Sequence, residues 1–277
     1  MASRVISAIV GVPLVMAAIW AGLPWLSLLA AFLASLGALE FYRMAERREV
    51  QPAVLPGIAW ALSFIISGHM GGWLTPWMLL GGAVATLSWH QLRRLISLPL
   101  LVREGVASRG FNDALVDWAY TAAGALYMGW TLSLVLVLRT EVKGLEWVLV
   151  VILGTFATDT GAFFTGRMLG RRPLAPRISP GKTWEGAIGG FLFGAGTVLA
   201  LASWLDLPLS PWEGAILGAL VGVSAQVGDL VESMVKRASG VKDAGKLIPG
   251  HGGILDRLDS VVFVLVVVYH FSIWTIK

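Results

Sequence analysis

Residues 233–259 read SMVKRASGVKDAGKLIPGHGGILDRLD, a dense run of Lys, Arg, Asp, His and Gly in a chain that is otherwise an almost unbroken series of apolar segments. Lys236, Arg237, Lys242 and Lys246 are spaced through it, and the acids Asp256 and Asp259 flank Arg257. Cations and carboxylates together suit a polyanion held with a divalent metal. Lys and Arg neutralise phosphate oxygens, while hard carboxylate oxygens hold an ion such as Mg²⁺ that also bridges the phosphates. The glycines, including the Gly252-Gly253 pair, let the backbone approach a ligand without a Cβ in the way. A loop that only sets membrane topology needs positive charge alone. That plainer reading leaves the acids, His251 and the Gly-Gly pair unaccounted for.

Working outward, the rest of the chain is membrane-like. Of 277 residues, 56% are hydrophobic and only 14% charged, and the mean hydropathy is +0.75. Soluble domains are about 45–50% apolar and about 25% charged. The absence of cysteine excludes disulfides, thiol catalysis and Cys-ligated zinc. A pI near 9.6 resembles a nucleic-acid signal, but the net charge is only +4, so no nucleic-acid partner is expected. Residues 1–22 carry an early Arg4 and a long apolar run without a small-residue cleavage site, and read as a retained first span.

Windows long enough to cross a bilayer as helices fall at 5–22, 24–42, 53–68, 73–91, 114–138, 147–166, 184–205, 212–235 and 258–275. The expected fold is therefore an all-α integral membrane protein, a bundle of about nine transmembrane helices in one polytopic domain over 1–277. Within it, 1–138 supplies N-terminal spans, and 147–275 the spans and cytoplasmic loops expected to carry the chemistry. The third window is short and contains Pro56, and the fifth is long enough to break near Gly124 or Gly129. With the N-terminus cytoplasmic, every cation except Arg139, Lys143 and Lys277 falls on inside segments, as the positive-inside rule requires. Trp25, Trp73, Trp77, Trp130 and Trp147 lie near span ends and read as an interfacial belt.

Polar residues inside the spans are few. Gln226, Asp229, Glu232, Ser233 and Lys236 are spaced to form one stripe on a helix, with Val227, Leu230, Val231, Met234 and Val235 on the other side. Charges at that depth belong to a protein interior or a water-filled cavity. Asp159, in the run Thr158-Asp159-Thr160-Gly161, is expected at the level of Asp229 and able to share its cavity. Asp117 reads equally as an inward structural acid or a site residue. Between the sixth and seventh windows, residues 178–186 read ISPGKTWEG. Their Gly-Lys-Thr is not a P-loop, because Pro176 stands where the first Gly belongs and no strand is expected before it.

The order Ser233, Lys236-Arg237, Lys242-Asp243, Gly245, His251-Gly252-Gly253, Asp256-Arg257-Leu258-Asp259 resembles the signature of the CDP-diacylglycerol synthases, or phosphatidate cytidylyltransferases, without departure. Residues 179–186 resemble a second block of the same family, with Gly181 where many members carry Lys. The resemblance implies CTP + phosphatidate → CDP-diacylglycerol + pyrophosphate at a bacterial-type inner membrane, with the site facing the cytoplasm. It implies Mg²⁺ with a second cation such as K⁺, metal binding by Asp229 and Asp256, and Asp159 and Asp259 as further candidates. It gives Lys236, Arg237 and Lys242 to phosphates, and Ser179, Lys182 and Thr183 to nucleotide or lipid phosphate. Asp243, Ser233, Arg257 and His251 complete the candidate set; His251 either contacts a phosphate or caps a helix. Implied partners are CTP, phosphatidate, the lipid bilayer and a second copy in a homodimer. A CTP-dependent enzyme on another lipid, an archaeol-type cytidylyltransferase or isoprenoid-alcohol kinase, is the nearer alternative. An anion transporter is the remoter one.

Overall fold

A computed structural model describes residues 2–103, 111–245 and 252–276. Lys246 and His251, two of the residues singled out above, lie outside the described residues. The helices are α1 (Ala2–Ala21), α2 (Trp25–Glu46), α3 (Val54–His69), α4 (Thr75–Arg103), α5 (Phe111–Gly124), α6 (Thr131–Thr140), α7 (Gly144–Leu169), α8 (Trp184–Trp204), α9 (Pro211–Ala238) and α10 (Leu255–Ile276). A π-helical turn, Ala125–Trp130, joins α5 to α6, so each of the nine apolar windows falls on one helical rod. Among the described residues six of these rods are long and apolar enough to cross a membrane: α2, the α5–α6 run, α7, α8, α9 and α10. The chain is a multi-pass, all-α membrane protein.

The expected weak points have local explanations. Pro56 falls in the first turn of α3, where its missing N–H costs no intrahelical bond. The long fifth window does not break; it widens into the π turn between Gly124 and Thr131. There Gly124 lets Tyr42 of α2 approach so closely that an added Cβ would lie 2.3 Å from its ring.

Two features depart from the expectations. The stretch after α7 is a small antiparallel hairpin, β1 (Pro173–Ala175) and β2 (Ser179–Thr183), with Pro173 opposite Thr183 and Ala175 opposite Ser179. A strand therefore does carry the Gly-Lys-Thr, but Lys182 and Thr183 are its last residues rather than the tip of a phosphate loop. Trp147 is not part of an interfacial belt: it is fully buried at 0% exposure, whereas Trp25, Trp73 and Trp77 are exposed. Glycine absence of bulk explains the tight pairing of α7 with α8. A Cβ on Gly189 would lie 2.1 Å from Thr165 Oγ1, and one on Gly190 would lie 2.8 Å from the Thr158 carbonyl.

Polar contacts fix which helix ends share a side. At one end Lys143, before α7, pairs with Asp206 after α8 at 2.9 Å, and Arg139 Nε donates to Ile19 O at 3.1 Å. At the opposite end lie the C-termini of α2, α7 and α9, the hairpin and the N-terminus of α10.

Candidate active site

The site is built where α7, β2, α9 and α10 meet. β2 runs directly into α8, whose N-cap is Thr183: its hydroxyl accepts the Gly186 amide at 3.1 Å. Glu185 closes the hairpin by accepting the Arg171 and Arg172 amides at 3.0 and 3.2 Å. Lys182 is thereby aimed at α9, where its Nζ pairs with Asp229 Oδ2 at 2.8 Å. Arg237 ties the same parts from the other side, its Nε donating to the Ile178 carbonyl at 3.1 Å. The two sequence blocks, separated by all of α8, are thus fastened to each other.

The polar stripe of α9 divides by depth and direction. Gln226 donates to the Ala187 and Gly222 carbonyls at 3.1 and 2.9 Å. Ser233 Oγ lies 3.4 Å from Asp229 Oδ1, one helical turn away. Glu232 is completely buried and meets Lys236 Nζ at 2.5 Å. Lys236 also donates to Asp256 Oδ1 at 2.7 Å. A carboxylate buried this deeply requires such a partner, since an isolated charge out of water is costly. The Lys236 ammonium is consequently shared between two acids.

Asp256 also gathers backbone. Its Oδ2 accepts the Ala244 amide at 3.0 Å and the Gly253 amide at 2.8 Å. The chain entering residues 246–251 and the chain leaving them are held together by one oxygen atom.

Two cavities converge here. The first, about 350 Å³, is lined by Asp159, Asp229, Lys236, Asp243, Asp256, Arg257, Asp259 and Ser260. The second, about 390 Å³, has an apolar wall including Ala162, Phe163, Leu174 and Ala187, and is also lined by Arg167 and Lys182. Asp159 and Asp229 line both. The structure therefore brings Asp159, Asp229, Asp256 and Asp259 to one cavity together with Lys236, Asp243 and Arg257. Lys182 and Thr183 line the second cavity, where Ser179 and Lys242 do not appear; Lys242 is exposed at the start of the signature loop. Asp117 is 6% exposed, and its Oδ1 accepts the Gln51 amide at 2.7 Å in the lead-in to α3.

Among the described residues no group of three His, Asp or Glu side chains converges tightly enough to hold an ion unaided. The donor set is nonetheless hard oxygen. Mg²⁺ takes one or two carboxylates and fills its remaining positions with water and phosphate oxygens, so an acidic cavity without a closed cage fits it.

The N-terminal half also reaches the site. Glu40, on α2, is 2% exposed and its Oε2 accepts the Leu255 amide at 2.9 Å. Its signal in the sequence was an acid within an otherwise apolar span, a pattern that marks functional sites by default.

The sequence model of the cytidylyltransferase family matches residues 2–274. The chain belongs to that family. Its relatives include a Brucella suis protein named phosphatidate cytidylyltransferase, 35% identical over 98% of this chain and 92% of its own length. Proteins of the same name from Staphylococcus epidermidis and Staphylococcus haemolyticus are each 34% identical over 86% of this chain and 86% of their own. The matched range runs through α1 to α9 and nearly all of α10.

Proposed function

We propose that this cytidylyltransferase-family chain transfers the cytidylyl group of CTP to phosphatidate, giving CDP-diacylglycerol and pyrophosphate. The observation that carries the reading is the pair of cavities joined at Asp159 and Asp229. One is acidic and polar, suited to a triphosphate arriving with a cation. The other combines an apolar wall with Arg167 and Lys182, suited to a phosphate on an acyl-bearing lipid. The names of the relatives agree with this pairing of substrates.

The chemistry asks little covalent work of the protein. A phosphate monoester oxygen of the lipid is already a nucleophile. It forms a new P–O bond at the α-phosphorus of CTP as the α–β P–O bond breaks and pyrophosphate leaves. The residues must align the two phosphates and stabilise the departing charge. Asp229 and Asp256 would hold Mg²⁺, with Asp159 and Asp259 beside them and a second cation such as K⁺ in the same acidic lining. Bound there, Mg²⁺ neutralises phosphate charge that the surrounding carboxylates alone would repel. Lys182 leaves Asp229 for the lipid phosphate, and Arg167 joins it from the α7 side. Lys236 keeps Asp256 oriented between Glu232 and the amides of Ala244 and Gly253. Arg257 and Asp243 border the polar cavity, and Arg237 holds the hairpin in place.

The same reading sets nine crossings with the N-terminus and active site at the cytoplasmic face of the inner membrane, where CTP is available. Positive charge concentrated on that side supports it, and a homodimer is part of the proposal. The deciding assay is purified protein in detergent with labelled CTP, Mg²⁺ and phosphatidate. The expected result is equal pyrophosphate and CDP-diacylglycerol, dependent on both lipid and divalent metal. Product only with an isoprenoid alcohol or an archaeol-type lipid, or solute uptake by proteoliposomes without pyrophosphate, overturns the substrate assignment.

A further inference from the structure

Glu40 has an environment that burial of an apolar span does not explain. Its side chain comes from α2, 215 positions away in sequence from the amide it accepts at Leu255. That amide is the first of α10, one residue before Asp256. Among the described residues, Oε1 is buried with no hydrogen-bond partner. A Cβ on Gly245 would lie 2.1 Å from Oε1, and one on Gly253 would lie 2.4 Å from Oε2. No side chain can be carried at either position while Glu40 stays where it is.

Gly245 and Gly253 stand on the two limbs of chain that enter and leave residues 246–251, and Asp256 Oδ2 binds amides on both limbs at 2.8 and 3.0 Å. Two carboxylates therefore grip the same neck: Asp256 through Ala244 and Gly253, Glu40 through Leu255 and close contact with Gly245 and Gly253. An orphaned buried oxygen carries a desolvation cost of about 1–3 kcal/mol, which a purely space-filling role would favour replacing with an apolar side chain.

We infer that Glu40 is a positioning residue for the cytidylyl-transfer site, fixing the neck of the signature loop and the N-terminus of α10 so that Asp256 faces the acidic cavity. It acts through Leu255, Gly245 and Gly253 and touches no substrate. The inference rests on the proposed reaction only for its activity readout, and amide exchange tests it without that reaction.

The experiment compares Glu40→Ala, Glu40→Gln, Gly245→Ala and the Glu40→Ala/Gly245→Ala pair, each as purified full-length protein. In Glu40→Ala, deuterium uptake is expected to rise in 241–245 and 252–256 and to stay unchanged in α7 and α8. Turnover per folded enzyme should fall by about 10–100-fold, as for residues that orient a reacting group, with KM for phosphatidate unchanged. Glu40→Gln keeps an oxygen for the Leu255 amide and should recover most of both readouts. Gly245→Ala should reproduce the defect when Glu40 is present and add little when Glu40 is already Ala, because its methyl then occupies vacated space. If Glu40→Ala accumulates poorly, Gly245→Ala and Glu40→Gln decide the matter: a rise in uptake confined to the two neck segments in Gly245→Ala, with Glu40→Gln close to wild type, supports the role, and unchanged uptake in Gly245→Ala overturns it. Unchanged uptake in the two neck segments, a rise spread over all helices, or a Gly245→Ala defect of equal size in both backgrounds overturns the positioning role. A wild-type enzyme that forms no CDP-diacylglycerol while the exchange pattern holds would overturn the reaction and leave the positioning role standing.

Discussion

At the scale of single residues, the site depends on acids paired with lysines, one of which serves two carboxylates. Asp229 is matched by Lys182, and Asp256 by Lys236. Replacing Asp229 or Asp256 with Asn preserves size and removes one negative charge. Each is expected to lower turnover by orders of magnitude at saturating Mg²⁺, and the double variant to be scarcely worse than either, because both acids serve one centre. Steady-state kinetics on the folded, inserted protein checks this. Glu232 makes a different prediction. Its carboxylate is wholly buried and reaches Lys236, so Lys236→Met leaves an uncompensated buried charge and should destabilise by about 3–5 kcal/mol. Pairing it with Glu232→Gln should restore most of that loss in thermal unfolding, although turnover stays low because Asp256 has lost its partner. A double variant no more stable than Lys236→Met would contradict the pairing.

At the scale of elements, the placement of Asp159 opposite Lys182 depends on α7 and α8 approaching through glycine. Gly190 has backbone, not a yielding side chain, 2.8 Å from a prospective Cβ. Gly190→Val must therefore push the helices apart, at about 1–3 kcal/mol for overpacking, and should lower both thermal stability and activity. Gly196→Ala, on the same helix with nothing within 4 Å, should leave activity intact and raise stability slightly, since alanine is the better helix former by about 1 kcal/mol. Equal effects from the two would mean that close α7–α8 packing does not set the site. Arg237 tests the hairpin: Arg237→Ala removes the bond to the Ile178 carbonyl and should raise KM more than it lowers kcat, because the loosened strand carries Lys182.

At the scale of the whole molecule, the parts assigned to chemistry occupy one end of the bundle, and the Lys143–Asp206 and Arg139–Ile19 contacts occupy the other. A reporter fused after Lys277 should be active only outside the membrane, and one inserted near Gly240 only in the cytoplasm. The opposite pattern, or both on one side, would refute the nine-crossing arrangement. Helix length alone does not decide it, because α3 has only 16 residues and is shorter than each of the six rods long enough to cross a membrane.

The sequence by itself determined the features whose cause is local. Apolar windows fixed the helical rods, since in lipid each span must satisfy its backbone within itself. The 3.6-residue period placed Gln226, Asp229, Glu232, Ser233 and Lys236 along α9, and the signature residues pointed to phosphate chemistry and the family. Only the tertiary structure decided what those side chains meet. Glu40 is one acid in an apolar helix until α10 docks against α2, and Lys236 is one cation in a basic loop until Glu232 and Asp256 share it. The strands Pro173–Ala175 and Ser179–Thr183 are too short to show an alternating pattern and exist through their pairing with each other. Trp147 sits at a span end like the exposed tryptophans, yet neighbouring helices bury it completely. Periodicity reports which face of a helix a residue occupies; the partner across that face is set by packing between segments distant in sequence.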